Sequence, residues 1–336
     1  MRWVRTGKWD REIAMRDPKD DAQEIVSILA NWVFPLEILV AMEIAQLRTF
    51  SIPSISETLH ATREYECRGV KRLDDTRAMM IEIFRYPHGS REQQEMIDHL
   101  NAIHGLYCIS NDDYLYVLTT FMFDPGLFIE RVGFRELMPY EWDAFFYLYK
   151  DLGERMGIED IPSTREQMWL WRLRYEARHQ RYDRTNEAVA RGFLRSVREV
   201  LPWPVRALGA RAPLVLLEDA HVLACLGLPA PSRAEAMLVM QGLKRAAKLS
   251  AYINPFEEIG VEDWPSIYDN YPTYPEGYER LELGPTRVLE ILRRRKRHAT
   301  AGVETPSSVD ASKAAVTSAQ SMPVSRRIRA WVQARG

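Results

Sequence analysis

The sequence predicts an all-α protein with a single multi-helix domain. Apolar residues recur at helical spacing, as Ile97, Leu100 and Tyr107 do, and Pro, Gly and capping residues separate such segments. No segment shows the sustained alternation of apolar and polar residues that is typical of a strand. With 336 residues, 46% of them hydrophobic, the chain can bury a sizeable core.

Four helices are predicted in the N-terminal part. Asp20 and Asp21 can cap the first, and Pro35 should kink it. Gly69 separates the second helix from the third, and a Pro-His-Gly-Ser turn at Pro87 precedes the fourth. The four segments are residues 21–48, a helix opening at Ser56, residues 72–84 and residues 91–108.

The remaining helices are predicted from the same signals. Residues 110–113 form a strong N-cap cluster, and Pro139 and Pro162 stand where two later helices begin. The predicted segments are a helix ending near Phe123, residues 139–153, 164–191, 204–226 and 232–252, and a basic helix at 287–297.

The domain organisation follows from composition. Residues 1–20 form an N-terminal arm and residues 21–252 the helical domain. Residues 253–298 are a Pro/Tyr-rich arm and a basic helix, which we expect to pack on that domain. Residues 299–336 are rich in Ser, Thr and Ala without apolar periodicity, so we expect a mostly disordered tail.

Charge and cysteine usage exclude several classes of protein. The formal net charge of −2 gives no excess basicity for nucleic acid. Three scattered cysteines without a C-x-x-C pair argue against a disulfide framework.

The most apolar run, residues 32–42, contains Pro35 and Glu37, whereas a bilayer span needs about 20 apolar residues. With no apolar stretch typical of a signal peptide, we expect a cytoplasmic protein without a transmembrane segment.

Two patterns could bind a cofactor or an oxygen species. Arg72 and Thr76 lie four residues apart, which places a guanidinium and a hydroxyl on one helix face. The alternative is a surface ion pair from Arg72 to Asp74 or Asp75. His104 lies on an apolar helix face, where its imidazole either binds a haem iron or donates to a core carbonyl.

A third pattern could bind two metal ions. Glu57 and His60, and Glu176 and His179, form two Glu-x-x-His motifs, and further glutamates are available on other helices. Ferritin-like bundles build a di-iron site from such elements. Chance occurrence in a Glu-rich helical protein is the alternative. Residues 293–297, RRRKR, indicate either an anionic-surface patch or a solvated helix end.

Several motifs together resemble a known family. They are RLDDT (residues 72–76), LNAIHGLY (100–107), ISNDDYLY (109–116), FDP (123–125), GFREL (133–137), MGIEDIP (156–162) and YE (175–176). In this order and spacing they resemble the MpaB-type oxygenases, which include fungal enzymes that cleave a prenyl double bond and bacterial rubber oxygenases. The resemblance is good over residues 53–186 and looser over 202–248.

The resemblance implies a haem b in a helical core that elaborates the globin arrangement. It implies that His104 is the axial ligand, that Arg72 and Thr76 lie on the opposite side of the haem, and that Arg68 belongs to the basic edge that receives its propionates. Rubber oxygenases can have a lysine before the threonine as a second ligand, and here that residue is Asp75. We therefore expect an open or water-bound sixth position. The fungal members also have an N-terminal membrane anchor, which this sequence does not show.

The sequence thus predicts a haem b oxygenase that uses O2 on an isoprenoid- or polyketide-like substrate, by C=C cleavage or hydroxylation. His104 would bind the iron, Arg72 and Thr76 would act on oxygen, and Glu57 would transfer a proton. Two alternatives stay open: a di-iron carboxylate oxygenase using the Glu-x-x-His motifs, and a non-catalytic helical protein that binds a lipid-like ligand.

Overall fold

The computed structural model describes residues 6–201, 206, 211–250 and 271–300, and these confirm the all-α class. The predictions for the N-terminal residues 1–5, for residues 253–270 of the arm and for residues 301–336 of the tail lie outside the described residues. The described helices are α1 Thr6–Ala14, α2 Ala22–Ile28, α3 Pro35–Thr49, α4 Pro53–Thr62, α5 Glu64–Arg85, α6 Arg91–His104, α7 Asn111–Val132, α8 Pro139–Arg155, α9 Arg165–His179, α10 Arg184–Val200, α11 Ala212–Leu217, α12 Ala220–Cys225, α13 Arg233–Ser250 and α14 Thr286–Thr300.

The core is organised around two helix pairs. α7 packs along α3, and α5 packs along α10. α2 packs on α8, α6 packs on α5, and α4 lies against α10. The outcome is one helical domain, in which apolar faces of α5, α6, α7 and α8 enclose a common interior.

The first predicted helix, residues 21–48, is broken into two helices rather than kinked at Pro35. α2 continues into a π-helical turn, Leu29–Val33, and Phe34 has non-helical backbone angles (φ −129°, ψ 48°). α3 then begins at Pro35, which fits the first turn of a helix because that turn's N–H has no partner there. The axes of the two segments differ by 110°.

One predicted break lies one residue from its expected position and another is wrong. The segment Glu64–Arg85 is interrupted at Arg68, next to Gly69, where the backbone is non-helical (φ −140°, ψ 41°), and a further break precedes it at Arg63 (φ 57°). α7 does not end near Phe123 but continues through Pro125 to Val132. A proline inside a helix loses one backbone hydrogen bond, and here the helix is buried along much of its length, which holds it together.

Two predicted helices are each divided. Within residues 204–226 the described part contains α11 and α12, which Glu218 separates with a left-handed backbone (φ 49°). Residues 164–191 divide into α9 and α10, because the chain turns at residues 180–183. Asp183 caps α10 by accepting a hydrogen bond from the Thr185 N–H at 2.7 Å. The buried Asn186 amide donates to the Arg181 and Cys225 carbonyls at 2.9 and 3.1 Å. These local bonds fix the turn, and the apolar pattern alone does not reveal them.

Glycines bring α5 and α10 close together. A Cβ on Gly192 would lie 2.6 Å from the Tyr65 carbonyl oxygen, and one on Gly69 would overlap the Ser196 hydroxyl. Only glycine therefore allows this crossing. The crossing positions the part of α5 that carries Arg72.

The described C-terminal residues, 271–300, pack on α5 and α6. A short 3₁₀ turn, Arg280–Glu282, contacts both helices, and α14 contacts α6. The Tyr278 hydroxyl donates to Glu82 at 2.9 Å, and the Leu283 carbonyl lies 2.9 Å from His99 Nε2. The basic run 293–297 lies on the exposed side of α14, in its C-terminal half.

Among the described residues, no single helix has both the length and the apolar composition of a membrane span. Ala22–Val33 and Pro35–Thr49 together meet these criteria by length and composition, across their 110° bend.

Candidate functional site

A cavity of about 250 Å³ lies inside the helical domain. Its walls come from α3, α4, α5, α6, α7 and α8, and Gly284 and Pro285 of the C-terminal segment also line it. The lining is mainly apolar, with Met79, Leu100 and Phe121 among the side chains. A few polar groups face the same space: Gln46, Glu64, Arg72, Asp75, Thr76, His104, Tyr107 and Asp113.

His104 is the last residue of α6, and Gly105 follows it as the C-cap. Its ring meets the Tyr114 ring edge to face, with centroids 5.4 Å apart. Within the described part of the chain, the buried Nδ1 of His104 has no hydrogen-bond partner. By contrast, His99 and His179 each bond to a carbonyl oxygen, at 2.9 Å. Unlike those two residues, His104 lines the cavity and has a ring nitrogen without a hydrogen bond to any described residue.

The electrostatic surroundings keep His104 neutral. Burial and, to a smaller extent, the positive charge of Arg72 together lower the pKa of the ring to about 4. A neutral imidazole is the form that binds a metal ion. At neutral pH the uncharged ring thus has one nitrogen lone pair that no proton occupies.

Arg72 and Thr76 lie side by side on α5, as the spacing predicts. The Arg72 guanidinium donates to the Thr76 hydroxyl, which in turn donates to the Arg72 carbonyl oxygen at 2.8 Å. The guanidinium also lies 5.4 Å from the centroid of the Tyr65 ring. The surface ion pair considered for Arg72 is absent among the described residues, because Asp75 pairs with Lys71 instead, at 2.7 Å.

Asp74 and Asp75 attach the C-terminal segment to α5. Both carboxylates are buried. Asp74 accepts from the Thr273 N–H at 2.8 Å, and Asp75 accepts from the Tyr274 hydroxyl at 2.6 Å. Lys71 bonds to Asp75 and to the Gly284 carbonyl at 2.8 Å. The two aspartates of the RLDDT motif therefore hold the residues that close one side of the cavity.

Two of the sequence-predicted site residues lie elsewhere. Neither Glu57 nor Arg68 is among the residues that line the cavity. Arg68 is exposed at the kink of α5 and pairs with Glu64. The carboxylate that does line the cavity from this region is Glu64, which is buried. No periodic pattern marks it, because its position depends on the break at Arg63.

The two Glu-x-x-His motifs do not converge. His60 pairs with Glu66 through Nδ1, and His179 stacks on Tyr175 with centroids 4.2 Å apart. Glu176 accepts from the Tyr116 hydroxyl at 3.1 Å and from Arg172 at 3.0 Å. Over the ranges that the structure describes, no three His, Cys, Asp or Glu side chains are grouped as a metal site would require. The described residues therefore contain no ligand cluster that would support the di-iron alternative.

Other motif residues are structural. Asp124 of FDP joins Arg48 at 3.1 Å and the fully buried Arg172 at 2.6 Å. Ser110 caps α7 through the Asp113 N–H at 3.0 Å, as the sequence predicts. Asp113 itself accepts from Tyr175 at 2.5 Å. Burial of such charges is tolerated because each has a partner.

The residues around the cavity fit a haem in three respects. The His104 imidazole is neutral and lines the cavity, as an axial ligand would. The walls are largely apolar, and Arg72 supplies a positive charge among them. Arg68, expected at the edge of a haem, does not line this cavity.

Fold and site together define an all-α protein with one internal cavity that combines a neutral histidine, an Arg-Thr pair and apolar walls. No protein-family model matches the chain. Curated proteins do match. The chain is 26% identical over 227 residues to the ER-bound oxygenase mpaB' of Penicillium brevicompactum, covering 62% of this chain and 54% of that protein.

Two further relatives are similar. The chain is 28% identical over 198 residues to the ER-bound oxygenase mpaB of Penicillium brevicompactum, covering 54% of this chain and 50% of that protein. It is 27% identical over 198 residues to the ER-bound oxygenase mpaB of Penicillium roqueforti, covering 54% of this chain and 66% of that protein. The chain spans about half the length of the two Penicillium brevicompactum relatives. It is related to the MpaB-type oxygenases.

Proposed function

We propose that this protein is a haem b-dependent oxygenase that acts on a hydrophobic substrate with O2. The observation that carries the proposal is the neutral, unbonded His104 imidazole in one apolar cavity with Arg72 and Thr76. The relationship to proteins named oxygenases supports the reaction class. When bound, the haem supplies the one-electron and O2 chemistry that side chains lack.

His104 holds the cofactor in this proposal, and its position at the end of α6 fixes the ring. The edge contact with Tyr114 limits rotation of the imidazole. Burial keeps the ring unprotonated at neutral pH, so binding does not compete with a proton.

Arg72, whose guanidinium is oriented by the Thr76 hydroxyl, stabilises negative charge that develops on oxygen. A guanidinium has five N–H donors, and the contact with Thr76 occupies only part of this capacity. Donors fixed in a low-dielectric cavity stabilise a developing oxyanion strongly, because they need no reorganisation. The Tyr107 hydroxyl adds a further donor, since burial raises its pKa to about 12 and keeps the proton in place.

Proton transfer falls to Glu64 in place of Glu57. Glu64 lines the cavity and pairs with Arg68, whose side chain is exposed to solvent. The other cavity carboxylates, Asp75 and Asp113, are each bound to a tyrosine hydroxyl and a second donor. For this reason we assign the role of general acid or base to Glu64.

The apolar walls select the substrate class. A long hydrocarbon chain, isoprenoid or polyketide-like, gains affinity by burying its surface there, at about 25 cal/mol per Å². Oxidation of such a chain, by C=C cleavage or by hydroxylation, is the reaction that we propose.

An absorption spectrum of the purified protein tests the proposal, combined with iron and porphyrin assays. We expect a Soret band and about one haem per chain. Iron without porphyrin would indicate a di-iron protein, and the absence of both would indicate a binding protein. Either result overturns the proposal.

A further inference from the structure

A second cavity, of about 110 Å³, adjoins the first. It lies between α2, the π-helical turn, α3, α5, α7 and α8. The two cavities share five wall residues. These are Gln46, Thr76, Met80, Phe121 and Tyr149. A ligand in the second cavity therefore lies beside Thr76, one of the two residues that we place next to oxygen.

The second cavity suits an uncharged hydrocarbon group. Most of its lining is aliphatic or aromatic, for example Val26, Leu39 and Phe145. Its one charged pair, Glu43 and Arg77, lies 3.5 Å apart across α3 and α5, so the two charges offset each other. A charged ligand group would have to be buried there without a dedicated counter-ion, which is costly.

The π-helical turn shapes one wall of this cavity. The Phe34 N–H donates to the Leu29 carbonyl at 2.7 Å, which closes the wide turn. The turn places Ala30 and Asn31 in the cavity lining. π-helical turns are rare and occur frequently at functional sites. A small alanine in this wall leaves space that a larger side chain would fill.

We propose that this second cavity, together with the shared residues at Thr76, is the subsite for one end of the substrate's hydrocarbon chain. An apolar cavity of about 150 Å³ binds benzene, so 110 Å³ accommodates about one five-carbon isoprene unit. The inference rests on the proposed function. It adds that the chain end lies between α2, α3 and α8, and that the neighbouring carbon atoms lie beside Thr76.

Binding of prenyl alcohols tests the subsite without any turnover. The probes are 3-methyl-2-buten-1-ol, geraniol and farnesol, which contain one, two and three isoprene units, measured by titration calorimetry on the protein as purified. We expect affinity to rise with chain length in the wild type. Ala30→Phe fills the second cavity and should weaken farnesol binding at least about tenfold, because one buried unit is lost. Binding of the one-unit alcohol should weaken as well, because the second cavity is the space that fits its single unit.

Two further variants make the test decisive. Ala102→Phe makes the same substitution at an exposed position on α6 and should bind like the wild type. Leu39→Phe fills the second cavity from α3 and replaces Ala30→Phe if that variant does not fold. Unchanged farnesol affinity in a folded filling variant would overturn the subsite, and so would a wild type that binds none of the alcohols. The Soret band, recorded on the same samples, reports separately on the proposed function.

Discussion

The Thr76 hydroxyl connects two parts of Arg72: it accepts from the guanidinium and donates to the carbonyl oxygen at 2.8 Å. The Arg72 side chain is thereby folded along α5 and held against the Tyr65 ring. Thr76 thus has two roles, as a wall residue of both cavities and as the group that orients the guanidinium.

Thr76→Val removes this hydroxyl and keeps the shape of the side chain. We expect a normal haem content, because in this account neither Thr76 nor Arg72 is needed to hold the cofactor. Turnover should fall, by up to about a hundred- to a thousandfold, because the Arg72 guanidinium loses the group that orients it as a preorganised donor. Oxygen consumption per haem with a competent hydrophobic substrate measures this.

Arg72→Leu should lower turnover at least as much, since a charged donor is lost. Arg174→Leu is the control, because Arg174 is exposed on α9 and does not line the cavity. We expect near-normal turnover in this control. Loss of haem in Arg72→Leu, with activity per haem unchanged, would show that Arg72 binds the cofactor instead.

The glycine crossing of α5 and α10 should be sensitive to one methyl group. Gly192→Ala would place Cβ 2.6 Å from the Tyr65 carbonyl oxygen, so the helices must separate. We expect a loss of about 1–3 kcal/mol in the free energy of unfolding. Gly242→Ala on α13 meets nothing within 4 Å and should raise stability by about 0.5–1 kcal/mol. Denaturant titrations measure both, and equal effects would refute the close crossing.

The C-terminal segment should loosen when Tyr274 loses its hydroxyl. Tyr274→Phe removes the 2.6 Å bond to buried Asp75, at a cost of about 1 kcal/mol. We expect faster hydrogen exchange in residues 271–285. Tyr182→Phe, which removes an exposed hydroxyl bound to Glu187, is the control. Unchanged exchange in the Tyr274 variant would mean that Asp75 does not hold the segment.

Glu43 should make stability depend on pH. Burial raises the pKa of Glu43 above its ordinary value of 4.5. In the window just above 4.5 the folded state then binds a proton that the unfolded state has released, so the free energy of unfolding falls as pH rises through that window. Glu43→Gln should remove this part of the pH dependence. Glu159→Gln, at an exposed position, should retain it. Parallel profiles for the wild type and Glu43→Gln would contradict the pKa shift.

The sequence patterns were sufficient for the fold class and for two local features of the site, whereas the shared location of His104, Arg72 and Thr76 was expected only from the family resemblance. Apolar spacing predicts the helices, and a four-residue interval places Arg72 beside Thr76 on any helix. His104 faces the interior because its helix has one apolar face. These are local relationships, and the structure retains them.

Features that depend on tertiary contacts could not be predicted. The continuation of α7 through Pro125 depends on its burial, and the division of α9 from α10 depends on the bonds of Asn186. Glu64 reaches the cavity only because Arg63 adopts a left-handed conformation. Gly69, which follows the interruption at Arg68, also provides space for Ser196, a contact that the sequence does not reveal.

The most direct test of the central claim compares two histidine variants on α6. His104→Ala should lose the haem or bind it far more weakly, because the axial imidazole is removed. His99→Ala removes a histidine of the same helix that bonds to the Leu283 carbonyl, and should keep the wild-type Soret band and haem content. Circular dichroism verifies that both variants fold. A full and unchanged Soret band in folded His104→Ala would contradict the assignment of His104 as the haem ligand.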